Sequence, residues 1–307
     1  MKAIQYKDYG SSAVLEQVEI PAPSIQSGNE VLVQVKAAAV NPIDIKIRMG
    51  QMKAVRPVEM PFIPGGEAAG LVSAIGNDVT KFKVGDEVIV LTKTNGYAEY
   101  VKADENFVLL KPEGLSFAEA ASIGVNIGTA QSVLFLAGKL EKGQKLLIQG
   151  GGGAAGGAMV QMAKAAGAYV IATASGKGVE LAKNLGADEV IDYKLQDVST
   201  IVKDVDLVAD TAGGEDQAKL FQVLKPGGTL LSIVVPPSQK LAGQYKVKAG
   251  FVASNISAQT LQNGIELIKE GLFKPIVSKT FKLEAAAEAQ DFLTAGGING
   301  KVILLVD

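Results

Sequence analysis

One segment constrains this chain more than any other. Lys145-Leu-Leu-Ile-Gln149, an apolar run of strand length, passes directly into Gly151-x-Gly153-x-x-Gly156 and then into a helix-like stretch with Met159, Val160, Met162, Ala163 and Ala166 on its apolar face. A strand, a glycine turn and a helix in that order are the context in which such a turn binds a dinucleotide. Gly151 is expected to allow the sharp turn, Gly153 to let backbone approach a pyrophosphate, and Gly156 to let helix and strand pack closely. Gly150, Ala154 and Ala155 complete the phosphate-facing set. An isolated glycine pattern also fits a linker or a tight structural turn; the flanking strand–helix–strand alternation favours the cofactor.

That alternation continues. Tyr169-Val-Ile-Ala-Thr173, Glu189-Val-Ile-Asp192, Asp206-Leu-Val-Ala-Asp210 and Thr229-Leu-Leu-Ser-Ile-Val-Val235 are buried-type strands separated by helical patterns, which predicts an α/β, doubly wound parallel sheet over 121–271. From Met1 to about Lys111 the pattern is different. Short runs such as Val31–Val35 and Glu87–Leu91 alternate with turn clusters such as Pro21-Ala-Pro23 and Lys83-Val-Gly-Asp86, as in a partly open β-barrel. A helix over Ser257 to Gly271, a strand around Ile276 to Phe281, a helix around Glu284 to Thr294 and a closing strand Lys301–Val306 follow, and the last of these return to the first domain. The expected domains are 1–120 with 272–307, and 121–271.

An NAD-selective site usually carries Asp or Glu near the end of its second strand, to accept from the ribose 2′-hydroxyl. This chain has Thr173-Ala-Ser-Gly-Lys-Gly178 there. Ser175 and Lys177 offer a hydroxyl and an ammonium suited to a 2′-phosphate, and Tyr193 adds a phenol from the next strand end, so NADPH is the expected cofactor. The structural alternative has Lys177 solvated, Ser175 capping a helix and Tyr193 half-buried. Thr173 at the second strand, Ala212 and Gly213 after the fourth, and Ile233 and Val235 at the end of the fifth complete the cofactor-binding set; for Asp210-Thr-Ala-Gly-Gly214 a plain turn is the alternative.

The 307 residues include no His and no Cys. Zinc would have only carboxylate or carbonyl ligands, a set better suited to magnesium or calcium, so no metal is expected. Ser-His-Asp and Cys-His mechanisms are excluded, leaving Asp, Glu, Lys, Tyr and bound cofactors for proton or electron chemistry. A formal charge of -2 gives no basic stripe for nucleic acid. The N-terminus lacks a signal-peptide core and no apolar run is long enough to span a bilayer, so a cytoplasmic protein is expected.

With these residues in place, the chain resembles the zinc-independent quinone oxidoreductase branch of the medium-chain dehydrogenase/reductase superfamily over essentially its full length. The resemblance rests on the order of Val40-Asn-Pro-Ile-Asp44, Pro61-Phe-Ile-Pro-Gly-Gly-Glu-Ala-Ala-Gly70, Lys83–Asp86, Gly96-Tyr-Ala-Glu-Tyr100, the glycine turn, Leu185-Gly-Ala-Asp188, Leu224-Lys-Pro-Gly-Gly228 and Gly300-Lys301. It implies a GroES-like domain enclosing the nicotinamide against a Rossmann domain, with the catalytic cleft between them. Zinc-dependent relatives carry metal ligands at positions comparable to Asn41 and Gly66, so alcohol dehydrogenation is disfavoured. It places Asn41 beside the ribose or nicotinamide, Asp44 in the same turn, and Thr129 facing the nicotinamide. Structural alternatives are a strand-end turn for Asn41, a local cap for Asp44 and a bond to its own helix backbone for Thr129. Lys46 and Gln131 stand where quinone reductases often have aromatic residues, and Lys46 is a candidate donor to an acceptor oxygen. The expected reaction is hydride transfer from NADPH to a quinone or a conjugated enone or enal; an NADPH-binding sensor or structural protein with little turnover is the alternative. The resemblance also suggests a homodimer formed through the strand-like Tyr245–Ala253.

Overall fold

The computed structural model describes residues 1–307, which divide into two units, residues 1–124 with 275–307 and residues 125–274. The chain crosses at Gly124/Val125 and Lys274/Pro275, against 120/121 and 271/272 in the sequence pattern. No helix is long and apolar enough to cross a membrane.

The first unit is built on a curled sheet in the order Val277–Lys282, Lys301–Leu305, Glu30–Val40, Glu67–Ile75, Glu87–Leu91 and Val108–Leu110. Glu30–Val40 is long enough to serve two partners along one edge, Lys301–Leu305 at its C-terminal end and Tyr100–Asp104 at its N-terminal end. Its alternation decides which face is core: Val31, Val33 and Val35 are buried, while Leu32 and Gln34 are partly exposed. They pack with Val72, Val88, Val90, Val101 and Leu304, each fully buried side chain contributing roughly 1.5–3 kcal/mol.

The same sheet brings three distant positions together. Val302 lies opposite Val40 in antiparallel register, which sets Lys301 next to Asn41. Glu67 opens the strand on the other side of Glu30–Val40.

The second unit is a six-stranded, all-parallel sheet in the order Glu189–Asp192, Tyr169–Ala174, Lys145–Gln149, Val205–Asp210, Leu224–Ser232 and Lys248–Phe251. Its order reverses beside Lys145–Gln149, the topological position at which doubly wound sheets bind ligands. Two stretches differ from the sequence pattern. The fifth strand ends at Ser232, whose hydroxyl is drawn to Asp210, so Ile233 and Val235 lie in the following turn. Of Tyr245–Ala253 only Lys248–Phe251 is strand; Tyr245 ends the helix Gln239–Tyr245, which Lys246 closes in a left-handed conformation.

Candidate functional site

The glycine turn forms as a cradle, with its roles redistributed. The residue in the left-handed region is Gly150, at φ 86°, and not Gly151. Gly151 is required for another reason: a Cβ there would stand 2.6 Å from the Ala172 Cβ. A Cβ at Gly156 would overlap the Gly150 carbonyl oxygen, so this residue sets the close helix–strand approach. Thr173 holds the turn twice, its Oγ1 accepting from the Gly150 N–H at 3.2 Å and its carbonyl from the Gly151 N–H at 2.8 Å. The helix Ala154–Ala165 starts from Gly153 with no side chain capping it, leaving the first-turn N–H groups, including those of Ala154 and Ala155, for an anion. The residues therefore suit a dinucleotide pyrophosphate.

At the end of Tyr169–Ala174, the Ser175 hydroxyl donates to the Tyr193 hydroxyl at 2.9 Å. Ser175 is not a helix cap, because the helix Lys177–Asn184 is entered through Gly176 with no side-chain cap. Tyr193 is 54% exposed. Lys177 is exposed at the first helical position, where the helix dipole disfavours a cation. A bound phosphate would reverse that sign.

The loop after Val205–Asp210 is held by one carboxylate. Asp210 Oδ1 accepts from the Ala212 N–H at 3.0 Å and the Gly213 N–H at 2.7 Å, and Oδ2 from Gln217 Nε2 at 2.9 Å and Ser232 Oγ at 2.8 Å. The backbone of Ile233 joins through its N–H to the Asp210 carbonyl, and that of Val235 through its N–H to Ser232 Oγ at 3.4 Å. Asp210 and Ser232 hold this loop in place, and neither was among the expected cofactor-binding residues. Thr129 is buried and shares a 2.8 Å hydroxyl–hydroxyl hydrogen bond with Ser254, a partner 125 residues away. The helix carrying Thr129 widens at once into a π-helical segment, Gln131–Ala137. Such widening recurs at functional sites.

In the first unit Asn41 precedes the helix Pro42–Arg48, and its backbone N–H is accepted by Asp44 Oδ2 at 2.9 Å. Asp44 thus performs the local capping that was its structural alternative. The Asn41 side chain points elsewhere: Oδ1 accepts from Lys301 Nζ at 2.7 Å, and Nδ2 makes a long 3.5 Å approach to Glu67 Oε1. Lys301 and Glu67 are themselves ion-paired at 2.8 Å, with their side chains 4% and 0% exposed. Lys46, one turn along the helix, is partly exposed.

Burial lifts the Asp44 carboxyl to about 6, against the N–H groups of Asn41 and Gly65, the charge of Lys301 and the Tyr97 hydroxyl, all of which favour the anion. The folded protein therefore binds this proton more tightly than the unfolded chain. The stabilisation is complete below about pH 4 and is lost as pH rises through 6. From well below pH 4 to well above pH 6 wild type should lose roughly 3 kcal/mol more than Asp44→Asn. Urea unfolding of both proteins at acid and neutral pH measures this, and parallel pH profiles would refute it.

These residues do not suit zinc. Asn41 Oδ1 and the Glu67 carboxylate are already occupied by the Lys301 ammonium, and no cluster of three or more potential His, Cys, Asp or Glu ligands exists.

The fold agrees with what known proteins show. The alcohol dehydrogenase GroES-like domain family matches residues 27–140, and the zinc-binding dehydrogenase family matches residues 185–304. The chain belongs to the medium-chain dehydrogenase/reductase superfamily. It is 31% identical to a quinone oxidoreductase of Rattus norvegicus, covering 100% of this chain and 98% of that protein. It is 33% identical to the chloroplastic NADPH-dependent alkenal/one oxidoreductase of Arabidopsis thaliana, covering 99% of this chain and 79% of that protein. The solved quinone oxidoreductase of Coxiella burnetii superposes with a TM-score of 0.90 at 30% identity, covering 100% and 99% of the two chains.

Proposed function

We propose that this protein is an NADPH-dependent, zinc-independent oxidoreductase that reduces a quinone or a conjugated enone or enal. The observation that carries the cofactor choice is the Ser175–Tyr193 hydroxyl pair with the exposed Lys177 at a helix start, where an acidic ribose-binding residue would otherwise stand. Bound NADPH supplies the hydride. The glycine turn would hold the pyrophosphate, Ser175, Lys177 and Tyr193 would hold the 2′-phosphate, and the loop that Asp210 fixes through the Ala212 and Gly213 N–H groups would border the cofactor. The residues proposed to orient the reacting end are Asn41 of the first unit and Thr129 of the second, and Lys46 would meet charge developing on the acceptor oxygen.

The acceptor class follows from what this chain lacks. Without an imidazole, a thiol or a zinc ligand set, it has only groups such as Lys46 to polarise an isolated alcohol or carbonyl. A quinone or an enone is electrophilic through its own conjugation and requires least from the protein. The test follows reduced-nicotinamide absorbance with matched quinone and enone panels and identifies the products. Oxidation by one panel assigns the acceptor class; tight NADPH binding with no oxidation by either panel would overturn the reductase reading in favour of a sensor.

The same proposal places the protein in the cytoplasm as a homodimer, supported by Lys248–Phe251 at the sheet edge with Phe251 50% exposed. Light scattering should give twice the 31.8 kDa chain mass; a monomer mass would refute the pairing.

A further inference from the structure

The pair Lys301–Glu67 is the most deeply buried ion pair in the molecule, and nothing in the proposed chemistry so far uses it. Its geometry is specific. Lys301 Nζ can only donate, and it reaches both Asn41 Oδ1 at 2.7 Å and Glu67 Oε1 at 2.8 Å. The Glu67 carboxylate can only accept, and it faces Asn41 Nδ2. An amide set between a donor-only and an acceptor-only group has one permitted orientation, because reversal would turn its NH₂ toward the ammonium and its oxygen toward the carboxylate.

We infer that Lys301 and Glu67 are positioning residues that fix the polarity of the Asn41 amide, so that Asn41 serves bound ligand as a hydrogen-bond donor through the second N–H of Nδ2. The inference rests on the proposed role of Asn41 at the reacting end. It identifies what the free Nδ2 N–H of Asn41 recognises: an acceptor atom, such as a ribose or carbonyl oxygen. It also gives a reason for placing a cation and an anion in the barrel wall, where an apolar pair would pack at least as well.

The test is a mutant cycle on acceptor turnover in the full-length protein with NADPH. Asn41→Ala should lower kcat about 10-fold with little change in the KM for NADPH. Lys301→Met/Glu67→Gln removes both charges together, so no unpaired ion is left, and should lower kcat to a similar degree. The triple variant should be no slower than either parent, because the pair acts through Asn41. Multiplication of the two losses to about 100-fold, or full turnover in Lys301→Met/Glu67→Gln, overturns the inference while leaving the role of Asn41 standing. Full turnover in Asn41→Ala overturns that role and the inference with it. If the neutralised pair fails to fold, Asn41→Asp decides: it keeps the contact with Lys301 but lacks an N–H. It should therefore match Asn41→Ala in kcat, and wild-type turnover in Asn41→Asp overturns the inference.

Discussion

Lys301→Met alone should lower the unfolding midpoint of the barrel unit by roughly 10 °C. The substitution takes the Lys301 ammonium away from the fully buried Glu67 carboxylate. Removing one member of a buried pair costs about 3–5 kcal/mol, and a unit of this size loses about 2–4 °C per kcal/mol. Adding Glu67→Gln should recover most of the loss, since the remaining cost is one of packing and hydrogen bonding once the buried carboxylate charge is removed. Differential scanning calorimetry of wild type, single and double variants measures both effects. A single variant that melts with wild type would contradict the cost assigned to the buried pair.

Gly156→Ala should produce a large loss in cofactor binding. The new methyl overlaps the Gly150 carbonyl, a backbone atom that cannot rotate away as a side-chain tip would. Either the helix Ala154–Ala165 retreats or the turn opens, and both move the first-turn N–H groups from the phosphate position. Overpacking of this kind costs about 1–3 kcal/mol, so NADPH affinity should fall about 10- to 100-fold, as measured by fluorescence titration. Gly153→Ala is the control, because a Cβ there meets nothing nearer than 3.4 Å in the protein. Its effect reports only how closely the ligand itself approaches. Equal and unchanged affinities in both variants would contradict the close-approach role of Gly156.

What the sequence made legible was local. Lys145–Gln149 and Glu189–Asp192 have the expected bounds because each is an apolar run closed by a turn, and the helix Ala258–Lys269 begins at a Ser257 cap visible in the sequence. Four consecutive glycines, Gly150–Gly153, hid which one takes the left-handed conformation, since any of them is free to do so. The fifth strand was misplaced because Ile233, Val234 and Val235 continue a β-type run, while Ser232 turns the chain by bonding to Asp210, a tertiary contact. The polar centre of the barrel was the least legible part. Lys301 meets Asn41 across 260 residues through an antiparallel register, and Ser254 meets Thr129 across 125. One local clue was Lys301 itself, a charged residue opening the apolar strand Lys301–Leu305.

The most direct test of NADPH-dependent hydride transfer is the ratio of kcat/KM for NADPH to that for NADH with one active acceptor. The ammonium of Lys177 and the two hydroxyls should favour NADPH on the order of 100-fold, equivalent to about 2.7 kcal/mol. Lys177→Ala should remove most of this preference without changing the NADH value. A ratio near or below one in the wild-type enzyme would contradict the 2′-phosphate site, and with it the identification of the cofactor.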